Sequence, residues 1–309
     1  MSLIGRLAVV CVAIVLLQLS SGAAPPYSPW SEPVSLGDVV NSQYDDALAT
    51  ISKDGLSLYF TSNRPVAEGG VGGYDIWVSQ RSDTGDPWGP PVCLDLPVNT
   101  TLHEAGASLS RDGHWLFFHR SRTEVFNEFD LVASYREHTD DDFGWQVPFN
   151  LGENVNTEAN EAGPVFFEGD ETSPAELYFG SDRGGAGYDI FVSRLGRDGT
   201  FGPAELVVEL NSAASEQRPG ISYDGREIYF TSNRPGSVGL TDIWVSTRPA
   251  LDAPWTPPVN VAELNTSYAD AQPALSAKAD MIFFTTGRPG VIGKTDLFVA
   301  TRSKHPGPR

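Results

Sequence analysis

Residues 41–75 read NSQYDDALATISKDGLSLYFTSNRPVAEGGVGGYD, and this stretch contains every part of a pattern that recurs along the chain. Asn41 is followed five residues later by Asp46, and six residues after that by Ser52. An aromatic segment then leads to Arg64, a glycine-rich loop and Asp75. Self-similarity at a fixed period is typical of repeat architectures, so the number of copies decides the fold.

The pattern occurs five times, and each copy is preceded by an aromatic residue that recurs every 54 to 58 residues. These aromatic residues are Trp30, Trp88, Trp145, Phe201 and Trp255. The Asn recurs at Asn41, Asn99, Asn156, Asn211 and Asn265. The acid recurs at Asp46, Glu104, Glu161, Glu216 and Asp270. The two later charges recur as Arg64, Arg122, Arg183, Arg234 and Arg288, and as Asp75, Asp130, Asp189, Asp242 and Asp296.

Each copy divides into four short apolar segments that are separated by turn residues such as Lys53-Asp54-Gly55. In the first copy the outer segment is expected over Trp88–Leu94. Four-stranded units of this length are typical of propeller blades. The sequence therefore predicts an all-β protein, a five-bladed β-propeller of four-stranded antiparallel blades. The predicted units span residues 30–81, 88–136, 145–194, 201–248 and 255–302.

The two ends of the repeat region predict how the propeller closes. The region begins with an outer-type segment at Trp30 and ends with a third-type segment at Asp296–Thr301, while residues 303–309 are a short tail. The N-terminal strand is therefore expected to join the last blade as its outer strand. Such closure removes an open sheet edge that would invite aggregation.

The first 23 residues have the features of a signal peptide. Arg6 precedes the apolar run Leu7–Leu19, and the small residues Ser21, Gly22 and Ala23 follow it. Cleavage is expected after Ala23, with a retained anchor as the alternative. The predicted mature protein is a propeller over residues 24–302, periplasmic or secreted, with no membrane span after cleavage.

Composition limits the classes of partner. The formal net charge is −19 at pH 7, and phosphate backbones are bound by clustered Lys and Arg, so nucleic acid is not an expected partner. Cleavage after Ala23 would leave Cys93 as the single cysteine, without an intrachain disulfide. The Pro-Val-Cys-Leu context predicts that Cys93 is a buried apolar residue.

Strand direction is expected to gather the repeated polar residues on one face of the propeller. The five acids begin the innermost strands, so they should form an acidic ring at the mouth of the central channel. The repeated Arg and Asp residues should surround that ring as a structural network, because one guanidinium can bond two carboxylates. The alternative is a hard-oxygen cation site for Ca²⁺ or Mg²⁺. The adjacent Arg residues oppose a cation, so no metal or cofactor is predicted and Ca²⁺ remains the alternative.

The second copy departs most from the pattern, so it carries the candidate specificity residues His103, His119 and Arg120. Loops 65–74, 123–129 and 168–176 also differ between copies, and loops tolerate such change.

The full motif, N-S/T … E/D … P-x-x-S-x-D-G … L-Y-F-x-S-N-R-P … G-G-x-D-I-W-V-S-x-R … W-G-P-P-V, resembles the TolB-type, WD-like propeller repeat of bacterial envelope proteins. The resemblance covers about residues 29–302. It implies contacts with proteins or with the cell envelope. The chain has five units where TolB itself has six and shows no N-terminal α/β domain, so the role of TolB is not carried over.

These observations predict an exported, non-catalytic and monomeric binding module that recognises a protein or a cell-envelope polymer through the channel-mouth face. The alternative is a glycan-binding or glycoside-cleaving propeller. Cleavage requires two carboxylates in distinct environments, whereas the five repeated acids are near-equivalent copies. No catalytic residue is therefore predicted.

Overall fold

The computed structural model describes residues 27–125, 128–171 and 173–305, so the proposed signal segment, residues 1–23, lies outside the described residues. The described residues form twenty short strands, one 3-10 turn at Val66–Glu68 and no α-helix. The strands make five four-stranded antiparallel sheets, which are the five blades of a β-propeller. The predicted fold class is confirmed.

Blades 1 to 4 each run from the innermost to the outermost strand in chain order. Blade 1 contains β2 (Asp46–Ile51), β3 (Ser57–Ser62), β4 (Asp75–Gln80) and β5 (Val92–Cys93). Blade 2 contains β6 (Glu104–Leu109), β7 (Trp115–Ser121), β8 (Phe129–Tyr135) and β9 (Phe149–Asn150). Blade 3 contains β10 (Glu161–Phe167), β11 (Glu176–Ser181), β12 (Asp189–Arg194) and β13 (Glu205–Leu206). Blade 4 contains β14 (Glu216–Ile221), β15 (Glu227–Ser232), β16 (Asp242–Thr247) and β17 (Val259–Asn260).

Blade 5 joins the two ends of the chain, as the sequence predicts. It contains β18 (Asp270–Leu275), β19 (Met281–Thr286), β20 (Asp296–Thr301) and the N-terminal strand β1 (Val34–Ser35), which pairs with β20. An isolated bridge between Tyr27 and Lys304 extends this contact. The third strand of blade 5 therefore has no unpaired edge where β1 covers it.

The outer strands are shorter than predicted. In blade 1 the ladder covers two residues, Val92–Cys93, instead of the expected Trp88–Leu94. Pro90 and Pro91 lie in that segment and have no N–H to donate to a neighbouring strand. Trp88 instead packs its ring against Arg81.

The core lies between the blades. The second and third strands of each blade are almost continuously buried, for example Leu58, Phe60, Ile76 and Trp77 in blade 1. Side chains on the two faces of one blade pack against different neighbours. Tyr59 belongs to the cluster shared with blade 2, whereas Leu58 and Phe60 belong to the cluster shared with blade 5. This arrangement stacks five sheets around one axis.

All five innermost strands carry the same backbone irregularity. Each has a register shift after its second residue, and its third residue has a positive φ. These third residues are Leu48 (55°), Gly106 (67°), Gly163 (60°), Arg218 (56°) and Gln272 (61°). The bulge is therefore part of the blade, even where the residue is not glycine.

Candidate functional site

The candidate site is the end of the propeller where the innermost strands begin, and it is named the loop face here. It also carries the loops that join the second and third strands of each blade. These loops span residues 63–74, 122–128, 182–188, 233–241 and 287–295. Residues 126 and 127 are outside the described residues.

The predicted acidic ring lies beneath this face and is closed to solvent. Asp46, Glu104, Glu161, Glu216 and Asp270 are each 0% exposed. In blade 4, Glu216 accepts hydrogen bonds from the backbone N–H of Ser212 at 2.9 Å and from its hydroxyl at 2.8 Å. The other four acids accept the same two bonds from a Ser or Thr four residues earlier.

An arginine neutralises each of these carboxylates. The pairs are Arg64–Asp46 at 3.0 Å, Arg120–Glu104 at 2.8 Å, Arg183–Glu161 at 3.0 Å, Arg234–Glu216 at 3.1 Å and Arg288–Asp270 at 2.7 Å. Burial raises the pKa of Asp46, while Arg64 opposes that shift. Burial also raises the pKa of Glu104, against its bonds from Thr100. The acids and guanidinium groups thus satisfy one another inside the blade.

Blade 2 exchanges the roles of its two arginines. The sequence aligns Arg122 with the other repeated Arg residues, yet Arg120 makes the ion pair with Glu104. Arg120 stands directly opposite Glu104 in the ladder, where the other blades have Ser or Thr. Arg122 instead bonds Asp130 at 2.9 Å and the carbonyl oxygens of Thr157 and Ala159 in the next blade. Arg120 therefore belongs to the ion-pair network of its blade, and its role in specificity stays a prediction.

The repeated Arg residues and the repeated third-strand Asp residues make mostly separate contacts. In blades 1, 4 and 5 the third-strand Asp accepts hydrogen bonds from two backbone N–H groups of its own loop. The bonds come from Val71 and Gly72 to Asp75, from Val238 and Gly239 to Asp242, and from Ile292 and Gly293 to Asp296. Asp130 pairs with Arg122. Asp189 is half-buried, and burial raises its pKa. In blades 1, 4 and 5 the carboxylate thus holds its own loop instead of bridging the arginines, whereas Asp130 in blade 2 bonds Arg122.

The repeated Asn residues fix the crossover from one blade to the next. Asn99 lies between β5 and β6, accepts from the N–H of Ile76 at 2.9 Å and donates to the Ile76 carbonyl at 2.8 Å. The other four Asn residues make the same two bonds with Leu297, Leu131, Ile190 and Ile243. Each Asn side-chain amide thus makes the two hydrogen bonds that a residue of a neighbouring strand would make in a β-ladder.

The two candidate histidines occupy different environments. The His103 Nδ1 lies 3.0 Å from the backbone N of Tyr74 and accepts its hydrogen bond, so this ring helps to seat loop 63–74. His119 is 1% exposed and packs its ring edge-to-face against Phe129, with centroids 4.8 Å apart. Burial lowers the pKa of His119, and the charge of Arg218 lowers it further. His119 is therefore a buried neutral residue below the mouth.

Arg218 is a channel residue that the sequence reasoning missed. It is the left-handed third residue of β14, and its Nη1 lies 3.5 Å from the Nε2 of His119. Its Nε is buried without a hydrogen-bond partner among the described residues. Burial lowers the pKa of Arg218 to about 10. A signal in the sequence could have identified this residue. Arg218 stands two residues after the repeated acid, at the position where blades 2 and 3 have Gly106 and Gly163.

The channel lined by the innermost strands is narrow, with an open volume of about 70 Å³. A substrate-sized molecule does not fit in such a volume. Within the described ranges, no three His, Cys, Asp or Glu residues are grouped as metal ligands, and no helix is long and apolar enough to cross a membrane.

The accessible part of the loop face is apolar at its loop tips. Val66, Val238, Leu240 and Ile292 are 68%, 63%, 76% and 49% exposed. Tyr268, whose carbonyl accepts from the N–H of Leu240, is 43% exposed beside them. Of these residues, only Val66 lies in a loop that the sequence singled out.

Comparisons with known proteins identify the fold without assigning a family. No family model and no curated protein matches the chain. Among solved structures, TolB from Acinetobacter baumannii is similar at 15% identity and a TM-score of 0.50, over 86% of this chain and 56% of that one. The chain therefore spans little more than half of that TolB structure.

Two α-L-arabinofuranosidases are similar over nearly their whole lengths. The enzyme from Podospora anserina, solved with cellotriose, has 10% identity and a TM-score of 0.59, over 91% of this chain and 98% of that one. The enzyme from Lactobacillus brevis has 11% identity and a TM-score of 0.56, over 89% and 95%. At these identities each likeness shows a shared propeller fold alone.

Proposed function

We propose that this protein is a non-catalytic binding module that recognises a partner protein or a cell-envelope polymer through its loop face. The observation that carries the proposal is the burial of all five repeated carboxylates, each 0% exposed and paired with an arginine. A general acid or a nucleophile must reach its substrate, and these groups are closed off.

The loop tips supply the contact surface in this proposal. Exposed apolar side chains at Val66, Val238, Leu240 and Ile292 stand on loops whose bases are held by Asp75, Asp242 and Asp296. Apolar groups on a pre-organised support lose little conformational freedom on binding. Loops on a rigid scaffold are also a common place for recognition.

The proposal includes export to the periplasm or the exterior and action as a monomer. The proposal of export rests on the N-terminal segment, and the proposal of a monomer rests on the closed ring of five blades. A glycan-binding or glycoside-cleaving propeller is the alternative function. It is favoured by the fold shared with the two arabinofuranosidases over about nine-tenths of the chain.

Co-sedimentation with bacterial cell envelopes tests the proposal. The variant Leu240→Asp/Ile292→Asp places charge on two loop tips and should abolish co-sedimentation. The matched control Val147→Asp changes a residue that is 77% exposed and precedes β9 at the opposite end of the blade, so it should co-sediment like the wild type. Equal co-sedimentation of all three proteins would refute the loop face as the binding surface.

An enzymatic assay tests the alternative of a glycoside-cleaving propeller. The purified protein should release no product from aryl arabinofuranosides or from arabinan. Turnover that disappears in Glu104→Gln would instead assign catalysis to a repeated acid and overturn the non-catalytic proposal. A glycan array distinguishes the remaining case, since selective glycan binding without turnover would make the partner a carbohydrate.

A further inference from the structure

An arginine closes the outer part of the gap beside four of the five blades. It follows the third strand and lies over the tryptophan that opens the outer segment of its own blade. The ring-centroid distances are 4.2 Å for Arg81 over Trp88, 4.5 Å for Arg136 over Trp145, 4.4 Å for Arg248 over Trp255 and 4.4 Å for Arg302 over Trp30. Such stacking is an attractive cation–π contact.

Three of these arginines also bond the preceding blade. Arg136 donates to the Tyr59 hydroxyl and to Asp142, which itself accepts hydrogen bonds from blade 1. Arg248 pairs with Glu176 of blade 3. Arg302 pairs with Glu227 of blade 4. An organic cation between aromatic rings and acids is therefore a repeated part of this molecule.

Blade 3 lacks this cation. Leu195 takes the place of the arginine, and Phe201 takes the place of the tryptophan. Across the gap, Phe117 of blade 2 replaces the tyrosine, and Trp115 stands where blades 3 and 4 have Glu176 and Glu227. The gap between blades 2 and 3 consequently differs in chemistry from its counterparts.

A pocket of about 630 Å³ lies in this gap, within the range of small-molecule sites. Its walls include the rings of Trp115, Phe117, Phe149, Phe166 and Phe201. Trp115 and Phe149 meet edge-to-face with centroids 6.0 Å apart, and Phe149 is 51% exposed. Trp115 and Phe166 are half-buried, so three aromatic rings keep accessible surface.

The charged groups of the pocket are all acidic. Asp112, Glu153 and Glu168 line it, together with the amides of Asn150 and Asn154, whereas no Lys or Arg is among the described lining residues. Arg111 lies 3.7 Å from Glu168 but does not line the pocket. Aromatic faces and carboxylates both attract positive charge, and the chain as a whole carries −19.

We propose that the pocket between blades 2 and 3 binds an organic cation, either an alkylammonium or a guanidinium group. The other blades provide such a group from their own chain at the equivalent position, whereas this gap receives it from outside. The aromatic rings hold the apolar sheath of the cation, and the acidic rim compensates its charge. Anionic ligands would meet three carboxylates, and Arg111, which pairs with Glu168, lies outside the lining.

Isothermal titration calorimetry with matched probes tests the charge requirement. Choline should bind at least about tenfold more tightly than 3,3-dimethylbutan-1-ol, which has the same shape without the charge. Methylguanidinium should bind, and glucose should not. Equal affinity for choline and the alcohol would show an apolar site. Binding of glucose alone would show a sugar site, and absence of binding by every probe would show a closed pocket. Each of these three results overturns the proposal.

Two variants locate the binding. Leu195→Arg restores the guanidinium of the other blades inside the pocket, so it should abolish choline binding. The control Leu206→Arg adds the same charge at a leucine of β13 that is 44% exposed and outside the pocket lining, and it should bind normally. Glu153→Gln removes one rim charge at an exposed residue and should weaken choline without affecting the alcohol. Unchanged affinity in both Leu195→Arg and Glu153→Gln would overturn the assignment.

A separate experiment identifies the source of the cation. A short peptide with a central arginine should bind if a partner protein supplies the guanidinium, and its citrulline counterpart should not. Choline binding without peptide binding would identify a free small molecule. Leu240 and Ile292 are not among the residues that line the pocket, so loss of envelope binding in Leu240→Asp/Ile292→Asp leaves this test unaffected.

Discussion

Arg234 shows what one repeated charge does in each blade. Its guanidinium pairs with the fully buried Glu216, donates to the Leu210 carbonyl and stacks over Phe230 and Trp244. Removing one member of a buried ion pair leaves the other charge uncompensated, which is more damaging than removing both. At the residue scale, the repeated polar groups therefore stabilise the blade.

Arg234→Met should lower the free energy of unfolding by about 3 kcal/mol, because Glu216 loses its counter-charge in a site without solvent. Urea denaturation followed by circular dichroism measures this change. Arg197→Met alters an exposed arginine and should change stability by less than about 0.5 kcal/mol. A loss below about 1 kcal/mol in Arg234→Met would mean that the pair is not structural.

His119 should make the protein less stable in mild acid. Its pKa is lowered by burial and by Arg218, so the folded protein keeps it neutral while the unfolded chain protonates it below about pH 6.5. The unfolded state then binds more protons, and the free energy of unfolding falls as pH drops, by up to about 1.4 kcal/mol per pH unit.

The contribution of His119 is isolated by comparing how steeply the free energy of unfolding changes with pH in different variants. The variant His119→Thr carries the residue found at this position in blades 1, 4 and 5, and it should show a shallower loss of stability between pH 6.5 and 5 than the wild type. His138→Gln, at an exposed histidine, should keep the wild-type slope. Identical slopes for wild type and His119→Thr would contradict a buried neutral His119.

At the scale of the strand, the innermost bulge decides what the channel can hold. The third residue of each inner strand is left-handed, and side chains there approach the neighbouring inner strand. A Cβ on Gly163 would lie 2.5 Å from the Cδ of Arg218, whereas a Cβ on Gly152, which also has a positive φ, would meet nothing within 4 Å. Glycine is thus required at Gly163 for space as well as for conformation.

Gly163→Ala should therefore be more destabilising than Gly152→Ala. Both variants place a Cβ on a left-handed residue, which costs about 1 kcal/mol. Gly163→Ala additionally displaces Arg218, and we expect a further loss of about 1 to 3 kcal/mol. Thermal and urea unfolding of the pair measure the difference. Equal losses would indicate that Arg218 does not lie against Gly163.

Sequence spacing predicted the number of blades, the strand order and the closure, because those follow from a period and from the terminal half-repeat. Contacts inside a blade were less predictable. Alignment placed Arg122 beside Glu104, but the ladder register brings Arg120 there. The roles proposed for Leu240 and Leu195 depend on which residues surround them in the folded protein. The spacing of residues along the chain does not give those neighbours.

At the scale of the whole molecule, five sheets are held in a ring by one short N-terminal strand. β1 pairs two residues with β20, and Trp30 packs into the cluster between blades 4 and 5. A protein that lacks residues 27–36 would expose the edge of β20 and lose this packing. Light scattering would measure whether the protein is the proposed monomer.

Deleting residues 27–36 should cause the protein to aggregate, as measured by size-exclusion chromatography with light scattering. Deleting residues 306–309, which follow the last described residue, should leave the elution volume unchanged. A monomeric, fully folded protein after the N-terminal deletion would contradict closure by β1.

One crossed measurement separates the structural network from the binding surface. Envelope co-sedimentation and melting temperature are measured for Arg234→Met/Glu216→Gln and for Leu240→Asp/Ile292→Asp. The network variant should melt earlier but still bind below its melting temperature, whereas the loop-tip variant should melt like the wild type and fail to bind. A loop-tip variant that binds normally, together with a folded network variant that has lost binding, would contradict this expectation.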